Sequence, residues 1–161
     1  MVRKVRQVRW VGPALRELRA LPEAVRVVAG FALYQAQQGD KHVDAKPLKG
    51  AIMGRATVTE SSGNVFADLG TKDPDTALAK AELAAEITRI IRGRRLSQAQ
   101  AAALLGTDQP KVSKLMRGKL EGFTAERLMR YLTCLGRDVN ITIKRRRRAS
   151  ERGRLAVVTQ D

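Results

Sequence analysis

The sequence is poor in several residue types, and each scarcity excludes something. Cysteine occurs once, at Cys134, so no internal disulfide can form. Cys134 falls on an apolar helical face and is expected to fill core. Aromatic side chains are only 4% of the chain, so the core must be built from Leu, Val, Ile and Ala. No apolar run approaches the ~20 residues of a bilayer span. The first residues are basic but no apolar stretch follows them, unlike a secretory signal. A cytoplasmic protein without membrane attachment is expected. The lone histidine, His42, reads as a solvated loop residue, and no catalytic residue, cofactor or metal is expected.

What is abundant is positive charge. The 161 residues carry 31 Lys and Arg against 16 Asp and Glu, a formal net charge of +15. Such an excess suits a polyanionic partner. It is unevenly spread: residues 1–52 carry +6, 53–96 only +1, 97–143 +3 and 144–161 +5. The length suffices for one domain or two small ones.

Residues 1–52 read as a strand, two helices and a basic loop. In "VRQVRWVG", Val8 and Trp10 alternate with Arg9, and Gly12-Pro13 ends the run. Pro13 and Pro22 each suit a first helical turn, where a missing N–H costs nothing. Leu15, Leu18 and Leu21 share one side of the first helix. Val25, Val28, Ala29 and Ala32 follow helical spacing to about Gln38. So few elements cannot bury a core alone and need cover.

Further on, "RATVTE" alternates like a strand, "SSGN" is turn chemistry, and Phe66 in "FADLG" can tuck against the helix that follows. Asp73 or Asp75 sits near that helix's start. The helix runs from about Thr76 to Gly93, with Leu83, Ile87, Ile90 and Ile91 as its buried stripe. Then comes "LSQAQAAALLGTDQPKVSKLMRGK". Ser97 with Gln100 makes a capping box. Ala101, Ala102, Leu104 and Leu105 give a small-faced helix, which Gly106 can end with positive φ. Thr107 or Asp108 caps the next helix, whose inner face is Val112, Leu115 and Met116. Gln109, Lys111, Ser113, Lys114 and Arg117 are left outside. Two short helices about a glycine turn, the second with a cationic outer face, are a helix-turn-helix signature. Gln suits adenine and Lys or Arg suits guanine in a major groove. A further helix, capped by Thr124, carries Leu128, Tyr131, Leu132 and Leu135. "DVNITIK" then has period 2, with Val139, Ile141 and Ile143 on one face. Alone it would leave backbone groups unpaired, so it is expected to pair with a second copy rather than with "RATVTE". "KRRRR" begins a basic tail that is either solvated or in contact with phosphates.

Two resemblances follow from these residues. Trp10-Val11-Gly12, "LRELRALPEAV", "GFALYQAQQGDKH" and "DAKPLKG" resemble the N-terminal half of HigB toxins of the RelE-like superfamily, which cleave mRNA. In that family a sheet after "KPLKG" supplies most of the catalytic residues; here the pattern stops at about Ala51. From "VTESSGNVFADLG" to "DVNITI" the chain resembles HigA-type antitoxins of the Xre (Cro-like) helix-turn-helix family. That resemblance implies autorepression of a toxin–antitoxin operon and neutralisation of a toxin. It also implies that Gln98 holds a phosphate and that Gln109, Lys111, Ser113 and Lys114 face bases or backbone. Pro110 departs from the polar start of the reading helix.

The expected architecture is mainly α: a Cro/Xre-type helix-turn-helix domain with a C-terminal strand, preceded by a small strand-helix-helix segment. The expected segments are a toxin-like 1–52, a linker and antitoxin start 53–75 beginning near Met53, a DNA-binding domain 76–144 with its dimerisation strand, and a basic tail 145–161. The expected function is an antitoxin-like transcriptional regulator fused to an incomplete toxin. Its partners would be an operator duplex, a second copy, and in one version a HigB-like toxin. The alternatives are a self-inhibited mRNA interferase and a toxin-binding interaction module.

Overall fold

The computed structural model describes residues 6–44, 57–145, 153 and 155–159. The seam expected near Ala51 and Met53, and most of the cation run after Lys144, lie outside the described residues. β1 (Arg9–Val11) leads into α1 (Ala14–Arg19) and α2 (Glu23–Gln37). β2 (Val58–Glu60), α3 (Val65–Asp68) and α4 (Pro74–Gly93) follow. α5 (Gln98–Leu105), α6 (Gln109–Met116) and α7 (Ala125–Cys134) complete a mainly helical chain, with one small sheet among the described residues.

Local signals set most of these boundaries. The Asn64 side chain accepts from the backbone of Phe66 and Ala67 to open α3. Asp73, rather than Asp75, caps α4 by accepting from Thr76 N–H, with Pro74 in the first turn. Each such cap satisfies donors that the helix itself leaves orphaned. α4 is the axis of the fold and packs against α2, α3, α6 and α7. Its expected stripe of Leu83, Ile87, Ile90 and Ile91 is buried. It meets Leu128, Tyr131, Leu132 and Leu135 from the α7 end of the same core.

The N-terminal elements join this core. Trp10 and Phe31 belong to the same buried cluster as the α4 stripe. Phe66 is fully buried, as its placement before α4 suggested. Its ring lies so close to α2 that a Cβ at Gly30 would come within 2.6 Å of it. Truncating a ring so enclosed costs about 3–5 kcal/mol. The C-terminal carbonyls around α3 are taken by guanidinium groups from the first block. Arg19 Nε donates to Asp68 O at 2.6 Å. Arg26 Nη1 donates to Leu69 O at 2.8 Å and Gly70 O at 2.6 Å. Cations at a helix C-terminus are favoured by the orientation of its peptide dipoles.

Several expectations are corrected. Within "RATVTE", Val58–Glu60 forms a strand as expected, and this β2 pairs antiparallel with β1, Trp10 opposite Thr59. The C-terminal segment therefore has no partner there, and residues 138–145 form no strand in the single chain. A strand needs a neighbour to satisfy its backbone groups. Val139 is half-buried on the core, while Ile141 and Ile143 are 76% and 94% exposed. Cys134 is exposed at the end of α7 and does not fill core. Leu21 lies past the end of α1 and is exposed, while Leu15 and Leu18 pack on the core; Leu104 faces outward because α5 turns Ala101, Ala102 and Leu105 inward. His42 is buried, at 8% exposure, and not solvated.

Candidate nucleic-acid interface

The segment from Ser97 to Arg117 builds one two-helix unit. Ser97 and Gln100 close the expected capping box: Gln100 N–H donates to Ser97 Oγ at 3.2 Å, and Ser97 N–H to Gln100 Oε1 at 2.8 Å. Ala101, Ala102 and Leu105 are buried, and the small alanines let α5 lie close to α6. Gly106 ends α5 with φ +62°. A Cβ there would meet nothing within 4 Å, so glycine is needed for the backbone conformation and not for space.

Asp108, rather than Thr107, caps α6 by accepting from Lys111 N–H at 2.8 Å. Pro110 stands in the first turn, where its missing N–H removes no helical bond. The inner face is Val112, Leu115 and Met116, all buried. Gln109, Lys111, Lys114 and Arg117 are exposed and Ser113 is half-buried. Gln109, Ser113 and Arg117 succeed one another at four-residue steps, which aligns them on one side of the helix. No acidic side chain occurs between Gln109 and Arg117.

The structure brings Gln98 to this surface. Gln109 Nε2 donates to Gln98 Oε1, so the two helix starts are joined by their amide side chains. Lys111 forms an ion pair with Asp108. The hydrogen bond from the Lys111 ammonium, helped by its backbone N–H, holds the Asp108 carboxyl below its ordinary range. Arg117 Nε lies 3.9 Å from Asp44 Oδ1. Val139, Ile141 and Ile143 belong to a separate region beyond α7.

Two neighbours of the surface escaped sequence reasoning. His42 Nε2 is 3.2 Å from Arg117 O, and Asp44 faces the Arg117 guanidinium. Both come from the first block, more than seventy residues away in the chain, and no local pattern signals such a contact. Lys119, exposed just past Gly118, extends the cationic surface.

Two comparisons bear on this geometry. Residues 65–144 match the family described as a helix-turn-helix domain. A solved structure described as a "Putative XRE Family Transcriptional Regulator" is 45% identical, with a TM-score of 0.51. The match covers 55% of this chain and 99% of the other. The chain belongs to the XRE family. No curated protein matches it. The segment matched as a helix-turn-helix domain in this XRE-family chain starts at Val65, the first residue of α3. β1, α1, α2 and β2 lie outside it, although Trp10 and Phe31 share its core. Among the described residues, no helix is long and apolar enough to cross a membrane.

Proposed function

We propose that this XRE-family protein is a DNA-binding transcriptional regulator that reads an operator duplex through α6. The observation that carries this is the two-sided character of that helix. Val112, Leu115 and Met116 anchor it in the core, while Gln109, Lys111, Ser113, Lys114 and Arg117 line its outer side. Gln98 adds a phosphate contact from the start of α5, and Lys111 and Lys114 contribute charge-assisted contacts. Helix-turn-helix proteins place the second helix in the major groove, commonly as dimers on two half-sites. Val139, Ile141 and Ile143 form the pairing segment of the homodimer.

The finer reading is an antitoxin-like autorepressor fused to an incomplete toxin-like segment, residues 1–52. The domain scheme is that segment, a connecting piece 53–75, a DNA-binding domain 76–144 and a basic tail 145–161. It rests on the resemblance of the two halves to HigB-type toxins and HigA-type antitoxins. A related reading, in which the first block serves as an interaction module, is favoured by one observation. Arg19 and Arg26 of the first block grip the carbonyls around α3 as a bound partner would. A separate HigB-like toxin would then have to compete with residues 1–52 for that face.

Gel-shift titration on a duplex selected by the wild-type chain from a random pool tests the DNA reading. Replacing Lys111 and Lys114 by Ala is expected to weaken binding by at least roughly tenfold at moderate salt. It should also flatten the log K against log salt slope by about 1.8. Unchanged affinity and slope would remove α6 from the interface.

A further inference from the structure

α6 is only eight residues long, and its C-terminal end is held from outside the helix-turn-helix unit. Gly118 turns the chain with φ +69°. Gly118 N–H donates to Leu115 O and Lys119 N–H to Lys114 O, both at 3.0 Å, which closes the last turn. The Phe31 ring of α2 fills the space over that glycine: a Cβ there would come within 2.3 Å of the ring. Phe31 is fully buried. His42 stands edge-on to it, with ring centroids 5.9 Å apart and planes at 82°.

His42 also completes the hydrogen bonding of the turn. Asp44 N–H donates to His42 Nδ1 at 3.2 Å, so Nδ1 is the acceptor and Nε2 carries the proton. Nε2–H then donates to the Arg117 carbonyl, which lies just past the end of α6. Asp44 meanwhile stands 3.9 Å from the Arg117 side chain. Backbone and side chain of one outer-face residue are thus both contacted by residues 42–44.

We infer that His42, packed on Phe31, is a positioning residue for DNA reading: it fixes the C-terminal end of α6 and thereby the placement of Arg117 and Lys114. The inference rests on the DNA-binding reading for its consequence, but the brace itself stands on the contacts alone. The first block is then a working part of the reading head. It contributes to discrimination between duplexes rather than to bulk attraction, because the His42 bond adds no charge to the phosphate-facing surface.

The test uses the full chain with His42→Phe, which keeps the ring packing and deletes the donor. His42→Gln, whose amide N–H can take the place of Nε2–H, serves as the conservative replacement. His42→Asn, too short to reach Arg117 O, is a second donor deletion should the Phe variant not fold. Two measurements are made: affinity for the wild-type-selected duplex against an unselected duplex of equal length, and amide hydrogen exchange by residue. His42→Phe is expected to lower affinity for the selected duplex by roughly threefold to tenfold. Affinity for the unselected duplex and the salt slope should hold. Exchange should quicken at residues 115–119 but not along α4, and His42→Gln should restore both readouts. Wild-type exchange and discrimination in a folded donor-deletion variant would overturn the inference. So would a uniform loss across both duplexes and all helices that Gln does not rescue, since that marks a residue important only for folding. If no duplex is enriched by the wild-type chain, the DNA reading fails, while the exchange measurement still decides whether the brace exists.

Discussion

Asp68 shows how much one buried carboxylate organises. Trp10 Nε1 donates to its Oδ2 at 3.2 Å, and the Ser61 hydroxyl donates to the same oxygen. Ser62 gives Oδ1 a backbone N–H at 3.1 Å and a hydroxyl at 2.6 Å. Burial pushes the carboxyl upward, but the hydroxyls of Ser61 and Ser62, with the Ser62 N–H and the Trp10 indole, outweigh it and lower its pKa. A lowered folded-state pKa means stability that is present above the unfolded value and lost as pH falls through the folded one. That window lies below about pH 4, the ordinary range of an aspartate. Asp68→Asn turns one acceptor into a donor facing donors, and should cost about 1–3 kcal/mol at pH 7. The gap from wild type should narrow as the pH is lowered from 7 to about 3, where the wild-type carboxylate begins to lose its advantage. Thermal melts at the two pH values measure it; a gap that is constant with pH would refute the ionised hub. Nothing in the sequence marks Asp68 for this role. It stands in the mostly apolar "VFADLG", and its partner Trp10 is 58 residues away.

At the scale of elements, the helices that were plain in the sequence carry their own start and stop chemistry. The Ser97–Gln100 box, Asp108, Thr124, Gly106 and Gly136 each act within one turn. Chain-local signals of this kind survive folding intact, so α4 to α7 and the outer face of α6 could be read directly. Elements whose form depends on a distant partner were harder. β2 could be foreseen as a strand, but its pairing with β1 could not, because either edge of a short alternating run can pair. Cys134 shows a related limit: helical periodicity assigned it to the apolar face, yet it lies at the last position of α7, where the chain leaves the core. The close approach of α2 to α3 depends on Gly30, and no local pattern distinguishes it from other glycines. Gly30→Leu would drive a side chain into the Phe66 ring and is expected to destabilise by about 1–3 kcal/mol, as overpacking does. Trp10, the single tryptophan, reports the outcome. Its emission should shift to the red at denaturant concentrations where the wild-type chain is still folded. A variant with wild-type emission and midpoint would show that α2 does not approach α3 this closely.

For the whole molecule, two features ask for partners of different kinds. The net charge of +15 creates a field that attracts polyanions over a distance set by the salt. It raises association with any duplex and carries no sequence information. On the proposed reading, discrimination comes from α6 and from its placement relative to a second half-site, and a single chain fixes only one copy of that helix. The segment after α7 is the proposed contact with a second copy. Ile141 and Ile143 alternate with polar residues and stand 76% and 94% exposed, on backbone that forms no strand within the chain. Two such segments pairing antiparallel would satisfy each other's backbone groups and cover the isoleucines, and a two-fold axis would then relate the two α6 helices. Replacing Ile141 and Ile143 by Asp puts like charges on the paired face, where they repel directly across the ladder. Sedimentation equilibrium should show a dimer for the wild-type chain and a monomer for the double variant. Footprints on a selected duplex should shrink from two half-sites to one, with affinity falling by at least roughly tenfold as the second binding event ceases to be intramolecular. A wild-type chain that sediments as a monomer and protects a single half-site would instead leave residues 138–145 without a role in pairing.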